Sequence, residues 1–354
     1  MTSPVLTASA ISLSRNDATR RFCHVEESAA LEELCSAVLG ALKADHWERP
    51  WRVYALDGMS QVDVTHLVER GLMTPTFAEE AGEARGFAVY GNSQASLEVN
   101  GVDHFNLIGF REGDRLEDLW SLLSVLDDRL EADFQYAFDP RWGYLTAYPG
   151  KAGTGLRAYA TLHVPALMLT GKLAATALEL VGHGLGLAPL WGGAGGVVQI
   201  SNVTRQTGPE SEIVEEVEAM ARTITEKERS VRKMLLREHP VQAKDQIGRA
   251  VGVAQHAWSM SFPEAVNLIS AAQVGLEQGI VDCAALAAES AFGLMSRLQP
   301  AHIVMDHMEV KTDVLESPEI DEIRARVMRD VFAGSPKKYP VRLSQQIVDR
   351  FLRI

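Results

Sequence analysis

The stretch that decides the fold is Gly143–Leu169, with the sequence GYLTAYPGKAGTGLRAYATLHVPALML. Its centre is a glycine-rich loop, Tyr148–Gly155, and the flanking segments Trp142–Ala147 and Leu156–Val164 have the aromatic and β-branched content of strands. A proline follows the second strand, which is typical of the first turn of a helix, and we predict that helix over Pro165–His183. Two strands that flank a glycine-rich loop and lead into a helix therefore form the centre of the first half of the chain.

The residues before this stretch predict an antiparallel meander rather than alternating parallel strands and helices. Phe87–Tyr90, Ala95–Val99 and Asp103–Phe110 have strand composition and are separated by turn residues. The next segment, Asp114–Phe134, repeats leucine mostly at steps of three and four residues, as an amphipathic helix does. Two shorter helices are predicted earlier in the chain, at Ser28–Lys43 and Gln61–Gly71.

The residues after the stretch divide the chain into two domains. A loop, a strand and a long charged helix are predicted first, at Gly182–Gly196, Val197–Asn202 and Ile213–Leu236. At His239-Pro240 the helix ends and a proline follows, so we predict an α+β domain at 1–238 and a helical domain at 239–354. Four helices are predicted in the second domain, at Ala243–Trp258, Phe262–Gly279, Cys283–Ser296 and Ile320–Phe332.

The net charge is distributed unevenly between the two parts of the chain. The 354 residues include 34 Lys or Arg and 47 Asp or Glu, a net charge of −13. Residues 231–354 hold 15 basic and 15 acidic residues, whereas residues 1–230 hold 19 basic and 32 acidic residues and carry the whole excess. A surface this acidic repels nucleic acid and anionic lipid, so we expect neither as a partner.

The cysteines and the hydropathy pattern favour a cytoplasmic protein. Cys23, Cys35 and Cys283 have no metal-site spacing and are odd in number, which is typical of a reducing compartment, and no metal site is predicted. The N-terminus lacks the basic and apolar regions of a signal peptide. The most apolar run, Leu156–Leu173, is interrupted by charged residues and by a histidine, so no transmembrane helix is predicted.

The stretch Gly143–Leu169 resembles the bacterial protein arginine kinases of the ATP:guanido phosphotransferase (phosphagen kinase) superfamily, whose typical run is GYLTACPTNxGTGxRASVxxHLPAL. Similar motifs follow the family's order along nearly the whole chain: His66–Pro75, Val99–His104, Gln199–Asn202, Pro263–Val281 and Leu298–His302. The resemblance implies a guanido-kinase catalytic domain with an antiparallel β-sheet flanked by helices. It also implies an α-helical C-terminal domain that forms dimers and binds phosphoarginine.

The resemblance also implies an ATP site in which arginines at several motif positions hold the phosphates. Ala10 and Ser12 stand where the family has its first two phosphate arginines, and Asn106 stands where it has another. Arg157 is kept, whereas the shortened segment Leu187–Gly196 contains no arginine. At about 1.5–3 kcal/mol for each charge-assisted contact, four losses cost about 6 kcal/mol or more. No cofactor is therefore expected, and Mg-ATP would be required only by an active enzyme.

The carboxylates that orient the guanidinium group are also replaced, since Gly101 and Val102 stand where the family has glutamates. Six vestigial candidates remain. The catalytic ones are Asp103, His104 and Tyr148, and the nucleotide-binding ones are Arg15, Lys151 and Arg157. For two of them a structural role is the alternative, because Arg157 could form an ion pair and His104 could pack within its apolar strand.

The motif for the phosphoarginine pocket is incomplete in the C-terminal domain. Ile320 replaces the family's arginine, Asp321 keeps the acid, and Arg324 lies nearby. The phosphate-binding cation of this pocket is therefore in question. The apolar residues of the domain keep helical spacing, which is what packing and dimerisation need.

The missing residues predict a pseudokinase that acts as a regulatory or scaffolding homodimer through protein contacts. By analogy with the family, its partners would be an active kinase or a Clp-type chaperone and protease system. One alternative is an active arginine phosphotransferase whose site is rebuilt from Arg15, Lys151, Arg157 and the Asp103–His104 pair. Another is a small-molecule or peptide site lined by the aromatic residues Trp142, Tyr148 and Trp191.

Overall fold

A computed structural model describes residues 5–43, 47–79, 84–203, 208–288 and 290–333. Its centre is an antiparallel sheet of eight strands in the order β2-β3-β4-β5-β1-β8-β10-β9. These strands are β1 (Leu6–Arg15), β2 (Trp51–Tyr54), β3 (Gly86–Tyr90), β4 (Ala95–Val99), β5 (Phe105–Glu112), β8 (Leu156–His163), β9 (Leu185–Pro189) and β10 (Val197–Asn202). A separate two-stranded ribbon pairs β6 (Phe138–Asp139) with β7 (Gly143–Tyr144).

Helices flank this sheet and make up the second half of the chain. In the first half they are α1 (Ser28–Ala41), α2 (Gln61–Glu69), α3 (Pro75–Glu79), α4 (Leu116–Asp133), α5 (Pro165–Leu169), α6 (Leu173–Gly182) and α7 (Glu210–Glu238). In the second half they are α8 (Pro240–His256), α9 (Phe262–Glu277), α10 (Ala284–Ala288), α11 (Ala291–Arg297), α12 (Pro300–His307) and α13 (Pro318–Phe332). The predicted α+β class is confirmed.

The main apolar core lies between one face of the sheet and helices α4 and α7. Ile11 and Leu13 of the central strand β1 are fully buried, and they belong to one cluster with Leu119 and Leu123 of α4 and Val217 of α7. These side chains alternate along β1 with small polar residues, because successive strand residues point to opposite faces. The opposite face of β1 is therefore polar, and it carries the candidate site.

The predicted meander is confirmed, because β3, β4 and β5 are antiparallel neighbours in sequence order. The strand predicted at Trp142–Ala147 is wrong except for Gly143–Tyr144, where Tyr144 exchanges backbone hydrogen bonds with Gly153 across the loop. The glycine-rich segment predicted as a loop contains β9, which pairs with β10. The central strand β1 was not predicted.

Two of the predicted helices are broken. The helix predicted at Pro165–His183 is interrupted at Gly171, whose positive φ of 68° ends α5 and lets the chain turn into α6. The helix predicted at Cys283–Ser296 is two short helices, and the Ser290 side chain caps the second one by accepting from the Gly293 N–H. Both breaks use the ordinary chemistry of helix ends.

The second half of the chain has its own core and is joined to the sheet. Ile269 of α9 and Met328 of α13 are fully buried in an apolar cluster that also includes Ala8 of β1 and Val197 of β10. The helix α7 ends at Glu238, and α8 begins at Pro240. In the described parts of the chain, no helix has both the length and the apolar character needed to span a membrane.

A polar contact joins the two halves at α2 and α12. The Glu69 carboxylate accepts from the backbone N–H groups of Ala301 and His302, both at 2.9 Å, at the N-terminus of α12. Its Oε2 atom also lies 2.7 Å from His302 Nδ1. The His302 ring packs edge-on against His66, with 4.6 Å between the ring centroids. Both sides of this contact come from motifs that resemble the family, at His66–Pro75 and Leu298–His302.

Candidate functional site

The strand register brings several positions from the family's motifs onto one face of the sheet. Ser12 of β1 is directly opposite Arg157 of β8. Two residues further along the same face, Ser14 is opposite Asn106 of β5, which in turn is opposite Glu98 of β4. Residues at alternate positions of paired strands share a face. We call these five residues, together with Lys151, the polar row.

Glu98 is a buried carboxyl group opposite Asn106, the residue that stands at an arginine position of the family's motif. Its side chain is almost wholly buried, and Oε2 accepts from Asn106 Nδ2 at 2.7 Å. The other oxygen accepts from the Thr74 N–H at 2.5 Å. Burial raises the pKa of Glu98, and the hydrogen bonds from Thr74 and Asn106 oppose that rise. The amide that replaces a phosphate arginine is therefore tied to a carboxyl group.

The polar row also contains two cations, Lys151 and Arg157, and Arg85 acts on Glu98 from outside the row. Lys151 reaches into the polar row from the glycine-rich loop, and its Nζ lies 3.3 Å from Ser14 Oγ. Burial lowers the pKa of Lys151, and Arg157 lowers it further, while the nearby carboxylates of Asp103 and Glu98 raise it. The buried Nε of Arg157 has no hydrogen-bond partner within the described residues. The ion pair suggested as its structural role is not found there either.

Arg15 does not belong to the polar row, because it lies on the opposite face of β1. Its guanidinium donates to Asp127 through Nε and Nη2, at 3.0 and 2.6 Å, and to Glu210 at 2.9 Å. The remaining donors reach the backbone oxygens of Ser14 and Thr154, at 3.2 and 2.7 Å. All five N–H groups that an arginine side chain offers are thus used. In this arrangement no donor of Arg15 remains for a phosphate.

Asp103 and His104 lie at the end of the polar row but have structural partners. The Asp103 Oδ1 atom accepts from Asn16 Nδ2 and from the Ala147 N–H, both at 2.7 Å, while its buried Oδ2 has no partner among the described residues. The His104 ring is fully buried, and its Nδ1 accepts from the Asp17 N–H at 3.2 Å. Burial lowers the pKa of His104. This geometry supports the packed, neutral role for His104.

Tyr148 is the third catalytic candidate, and its side chain is 60% exposed. Its backbone oxygen accepts from Thr146 Oγ1 at 2.8 Å and from the Lys151 N–H at 2.9 Å. These contacts shape the loop that holds Lys151 over Ser14. Tyr148 thus contributes to the site through its backbone.

The glycine-rich segment Trp191–Gly196 is attached to the second half of the chain. Gly195 donates its N–H to Asn267 Oδ1 at 2.7 Å, and its carbonyl accepts from Ser270 Oγ at 2.7 Å. The Trp191 ring stacks on Phe292, with 5.4 Å between the centroids. In the family this segment supplies a phosphate arginine, whereas here α9 and α11 hold it in place.

The attachment of Trp191 also separates it from the other two aromatic residues of the predicted apolar site. The register pairs Val197, next to this segment, with His163 at the far end of β8 from the Tyr148–Gly155 loop. Eight strand residues cover about 26 Å. Trp142 and Tyr148 therefore lie at one end of β8 and Trp191 at the other, so the three rings do not form one pocket.

Of the two residues predicted to be left from a phosphoarginine pocket, Arg324 lies in the core of the C-terminal half and Asp321 is partly exposed. Arg324 is almost wholly buried, and it donates to the carbonyl oxygens of Leu298 and Met260, both at 2.8 Å. It also pairs with Asp321 one turn earlier on α13. Burial lowers the pKa of Arg324, and Asp321 opposes that shift. The arginine thus joins three segments of the domain instead of facing solvent.

Sequence reasoning missed Glu98 as a member of the site. Its signal was a charged residue in the middle of an otherwise apolar or small strand, Ala95–Val99, since charged side chains are rarely fully buried without partners. The described ranges contain no group of three or more His, Cys, Asp and Glu side chains arranged to hold a metal ion.

Comparison with known proteins agrees with the geometry. Residues 31–231 match the family model of the ATP:guanido phosphotransferase C-terminal catalytic domain, and residues 240–341 match that of the protein-arginine kinase McsB C-terminal domain. A protein-arginine kinase from Halothermothrix orenii is 32% identical over 306 residues, which cover 84% of this chain and 86% of that relative. Another from Symbiobacterium thermophilum is 36% identical over 233 residues, 65% of this chain and 66% of the relative.

Solved structures of phosphagen kinases share the fold. A lombricine kinase aligns with a TM-score of 0.57 at 19% identity, over 64% of this chain and 66% of that chain. The duplicated taurocyamine kinase from Schistosoma mansoni aligns with the same score at 22% identity, over 63% of this chain and 33% of that longer chain. Because two family models together cover most of the sequence in order, the chain belongs to the protein-arginine kinase family of ATP:guanido phosphotransferases.

Proposed function

We propose that this protein is a pseudokinase, a member of its family that does not transfer phosphate and acts through contacts with other proteins. The observation that supports this most directly is the hydrogen bond from Asn106 to the buried Glu98 carboxylate. In an active relative this position would present a cation to the nucleotide. Here it presents an amide whose donor is already taken by a carboxyl group.

The charge balance of the polar row supports the same proposal. Lys151 and Arg157 are its cations, and Glu98 and Asp103 are the carboxyl groups beside them. A nucleotide triphosphate carries several negative charges and needs preorganised cations around it. Two cations are fewer than the set of arginines that the family uses, and Arg15 cannot be recruited because its donors are used.

The alternative of an active enzyme with a rebuilt site rests on two observations. The Nε of Arg157 is buried and has no hydrogen-bond partner among the described residues. Lys151 lies close enough to Arg157 for the guanidinium to lower the pKa of Lys151. An active enzyme would use these two cations for phosphate and Asp103 for the guanidinium. It would then require Mg-ATP, as its relatives do.

Isothermal titration with Mg-ATP separates the two possibilities. A pseudokinase is expected to give no saturable binding tighter than about 100 μM, which corresponds to about −5.5 kcal/mol. Incubation with ATP and an arginine-rich protein is expected to form no phosphoarginine. Saturable binding below that concentration, or phosphoarginine that disappears in an Arg157→Ala variant, would refute the proposal.

A gain-of-binding variant provides the matched control. Replacing Ser12 and Asn106 with arginine, and Glu98 with methionine, restores two cations and removes the opposing carboxyl group. This triple variant is expected to bind Mg-ATP more tightly than the parent. A further variant has both arginines but keeps Glu98. The difference between its Mg-ATP affinity and that of the triple variant measures the effect of the carboxyl group.

The proposed mode of action involves a homodimer in the bacterial cytoplasm that binds an active kinase or a Clp-type chaperone and protease system. The family membership and the intact apolar packing of the C-terminal half support it. Light scattering during size-exclusion chromatography tests the dimer, which is expected to have twice the chain mass of 38.7 kDa. A monomer at micromolar concentrations would contradict it.

A further inference from the structure

A large groove lies on the outer face of the C-terminal half, away from the polar row. Its volume is about 1060 Å³, and it runs between the outer face of α13, the connection from α12 to α13, and the residues that precede α9. Three of its apolar side chains are mostly exposed: Trp258 at 79%, Val310 at 79% and Val314 at 60%. An exposed tryptophan in a groove is typical of a surface that binds another chain.

The rim of the groove carries acidic side chains that lack ionic partners. Glu309, Glu319 and Glu322 line it, and none of them forms an ion pair with any residue of the described ranges. The lining also includes His307 and two arginines. Arg326 is exposed, whereas the Arg329 guanidinium lies 4.7 Å from the Trp258 ring centroid and donates to the Ala257 carbonyl. The groove therefore combines an apolar floor with free carboxylates, which suits a basic, amphipathic segment.

The chain itself contains such a segment directly after α13. Residues 334–354 include five Lys or Arg and one Asp, a net charge of +4. Their apolar residues Leu343, Ile347, Phe351 and Ile354 are separated by four, four and three residues, the spacing that places side chains on one face of an amphipathic helix. The family model of the C-terminal domain ends at residue 341, so most of this pattern lies beyond it.

The length of this segment is sufficient to reach the groove of the same molecule. One wall of the groove is α13, from Ser317 to Arg329, a distance of about 18 Å along the helix. The described chain ends at Ala333, four residues or about 6 Å beyond Arg329, and the segment follows directly. Twenty-one residues span at most about 70 Å, and a short tether gives an effective concentration in the millimolar range. Modest contacts are then enough for binding.

We propose that residues 342–354 bind in this groove of their own chain, with apolar side chains against Trp258 and Val310 and with Arg350 and Arg353 near Glu319 and Glu322. The groove lies on the same helix as Asp321 and Arg324. A bound segment therefore covers the outer surface of α13, and a protein partner of this face must displace it. This proposal does not depend on whether the first, α+β half of the chain binds ATP.

Hydrogen–deuterium exchange of the full chain tests the proposal. In the parent protein the amides of residues 342–354 are expected to exchange at least tenfold more slowly than those of an unstructured peptide of the same sequence. The variants Trp258→Ala and Glu319→Lys/Glu322→Lys are expected to lose this protection. All three substituted side chains lie on the outer surface, and circular dichroism checks that each variant keeps its helices.

A charge exchange makes the test specific. Arg350→Glu/Arg353→Glu is expected to lose the protection, and its combination with Glu319→Lys/Glu322→Lys is expected to regain it. The matched control Glu32→Lys/Glu215→Lys makes the same charge change at exposed positions of α1 and α7 and is expected to keep the protection. Exchange of the segment at the unstructured rate in the parent, or unchanged protection in the groove variants, overturns the proposal. Protection that grows with protein concentration assigns the groove to a second copy and overturns binding within one chain.

Discussion

At the scale of single residues, Arg15 shows how an arginine from a catalytic motif can serve only the fold. Its guanidinium connects β1 to α4 through Asp127, to α7 through Glu210 and to the glycine-rich loop through the Thr154 carbonyl. It also lies over the Tyr144 ring, 3.7 Å from the centroid. Four segments of the first half of the chain therefore meet at this one side chain: α4, α7, the glycine-rich loop and β7.

Replacing Arg15 with alanine is expected to lower the free energy of unfolding by about 3–5 kcal/mol, because the buried Asp127 and the partly buried Glu210 lose their cation. Urea unfolding measures this. The control Arg115→Ala breaks an exposed ion pair with Asp118 and is expected to cost less than about 1 kcal/mol. A loss for Arg15→Ala as small as that of the control would show that the guanidinium is not needed for stability.

The identity of the site could be inferred from the sequence, but its charge balance could not. The motif around Arg157 and the replacements at Ser12 and Asn106 can be recognised in the sequence alone. That Glu98 bonds to Asn106 depends on the register of β4 against β5, and that Arg15 faces away depends on which side of β1 is buried. Both are consequences of long-range pairing, which sequence spacing does not specify.

At the scale of elements, the attached glycine-rich segment makes a prediction that distinguishes conformation from packing. Gly192 and Gly195 both have positive φ, 66° and 64°. A Cβ at Gly192 would meet no atom within 4 Å, whereas a Cβ at Gly195 would lie 2.8 Å from Val266 Cγ1. Gly192→Ala therefore carries only the conformational cost of about 1–2 kcal/mol.

Gly195→Ala is expected to cost more than Gly192→Ala, because it adds an overlap with α9 that costs about 1–3 kcal/mol. The difference between the two urea midpoints measures the overlap alone, since both variants bear the same backbone cost. Equal losses would mean that the segment can move away from α9 without penalty.

The contact between α2 and α12 predicts that stability depends on pH. Burial lowers the pKa of His66 to about 3, and the neighbouring side chains of His302, Arg70 and Lys311 lower it further. In the unfolded chain a histidine titrates near 6.5. Below that pH the unfolded state binds a proton that the folded state does not, so stability falls as the pH decreases from about 6.5 towards 3.

His66→Gln is expected to reduce this dependence by up to about 1.4 kcal/mol per pH unit, the contribution of one proton. Urea unfolding at pH 8 and at pH 5 measures it. At pH 8 the parent and the variant differ only in packing, which provides the internal control. Parallel curves for the two proteins at both values would contradict the prediction. His104 and His163 have lowered pKa values as well, so part of the dependence remains in the variant.

The elements differ in how far local sequence determines them. Helix α4 has apolar residues at helical spacing, and the meander β3–β5 has strand composition with turn residues between its strands. Both were predicted for that reason. Strand β1 has small and polar residues at alternate positions, LTASAISLSR, and takes its conformation from pairing with β5 on one side and β8 on the other. The breaks after α5 and α10 depend on single cap residues that a periodic pattern does not reveal.

At the scale of the whole molecule, a buried ionic network joins the first half of the chain to the C-terminal half. Arg232 of α7 donates to Glu228 at 2.6 Å and to Glu277 of α9 at 2.7 Å. Its Nη2 also donates to the His163 carbonyl at 2.8 Å, and the His163 ring lies 2.7 Å from Ser270 Oγ. The two halves also share an apolar cluster that includes Ala8 and Val266.

We expect the two halves to unfold together, in one thermal transition whose calorimetric and van't Hoff enthalpies agree. Arg232→Met is expected to lower the stability by about 3–5 kcal/mol, because Glu228 and Glu277 remain buried without a cation. The exposed Arg237→Met provides the control on the same helix. Differential scanning calorimetry measures both variants, and two resolved transitions in the parent would contradict the shared network.

The hydrogen bond between Asn106 and Glu98 also has a consequence for how such a protein can change over generations. If an arginine returned to position 106 while Glu98 remained, it would form an ion pair with the carboxylate across β4 and β5 instead of holding a phosphate. Replacing Glu98 alone would leave the Asn106 amide without its acceptor and would add no cation. Under the proposed function, neither single step adds a free cation to the site, so a gain of nucleotide binding would require at least two substitutions together.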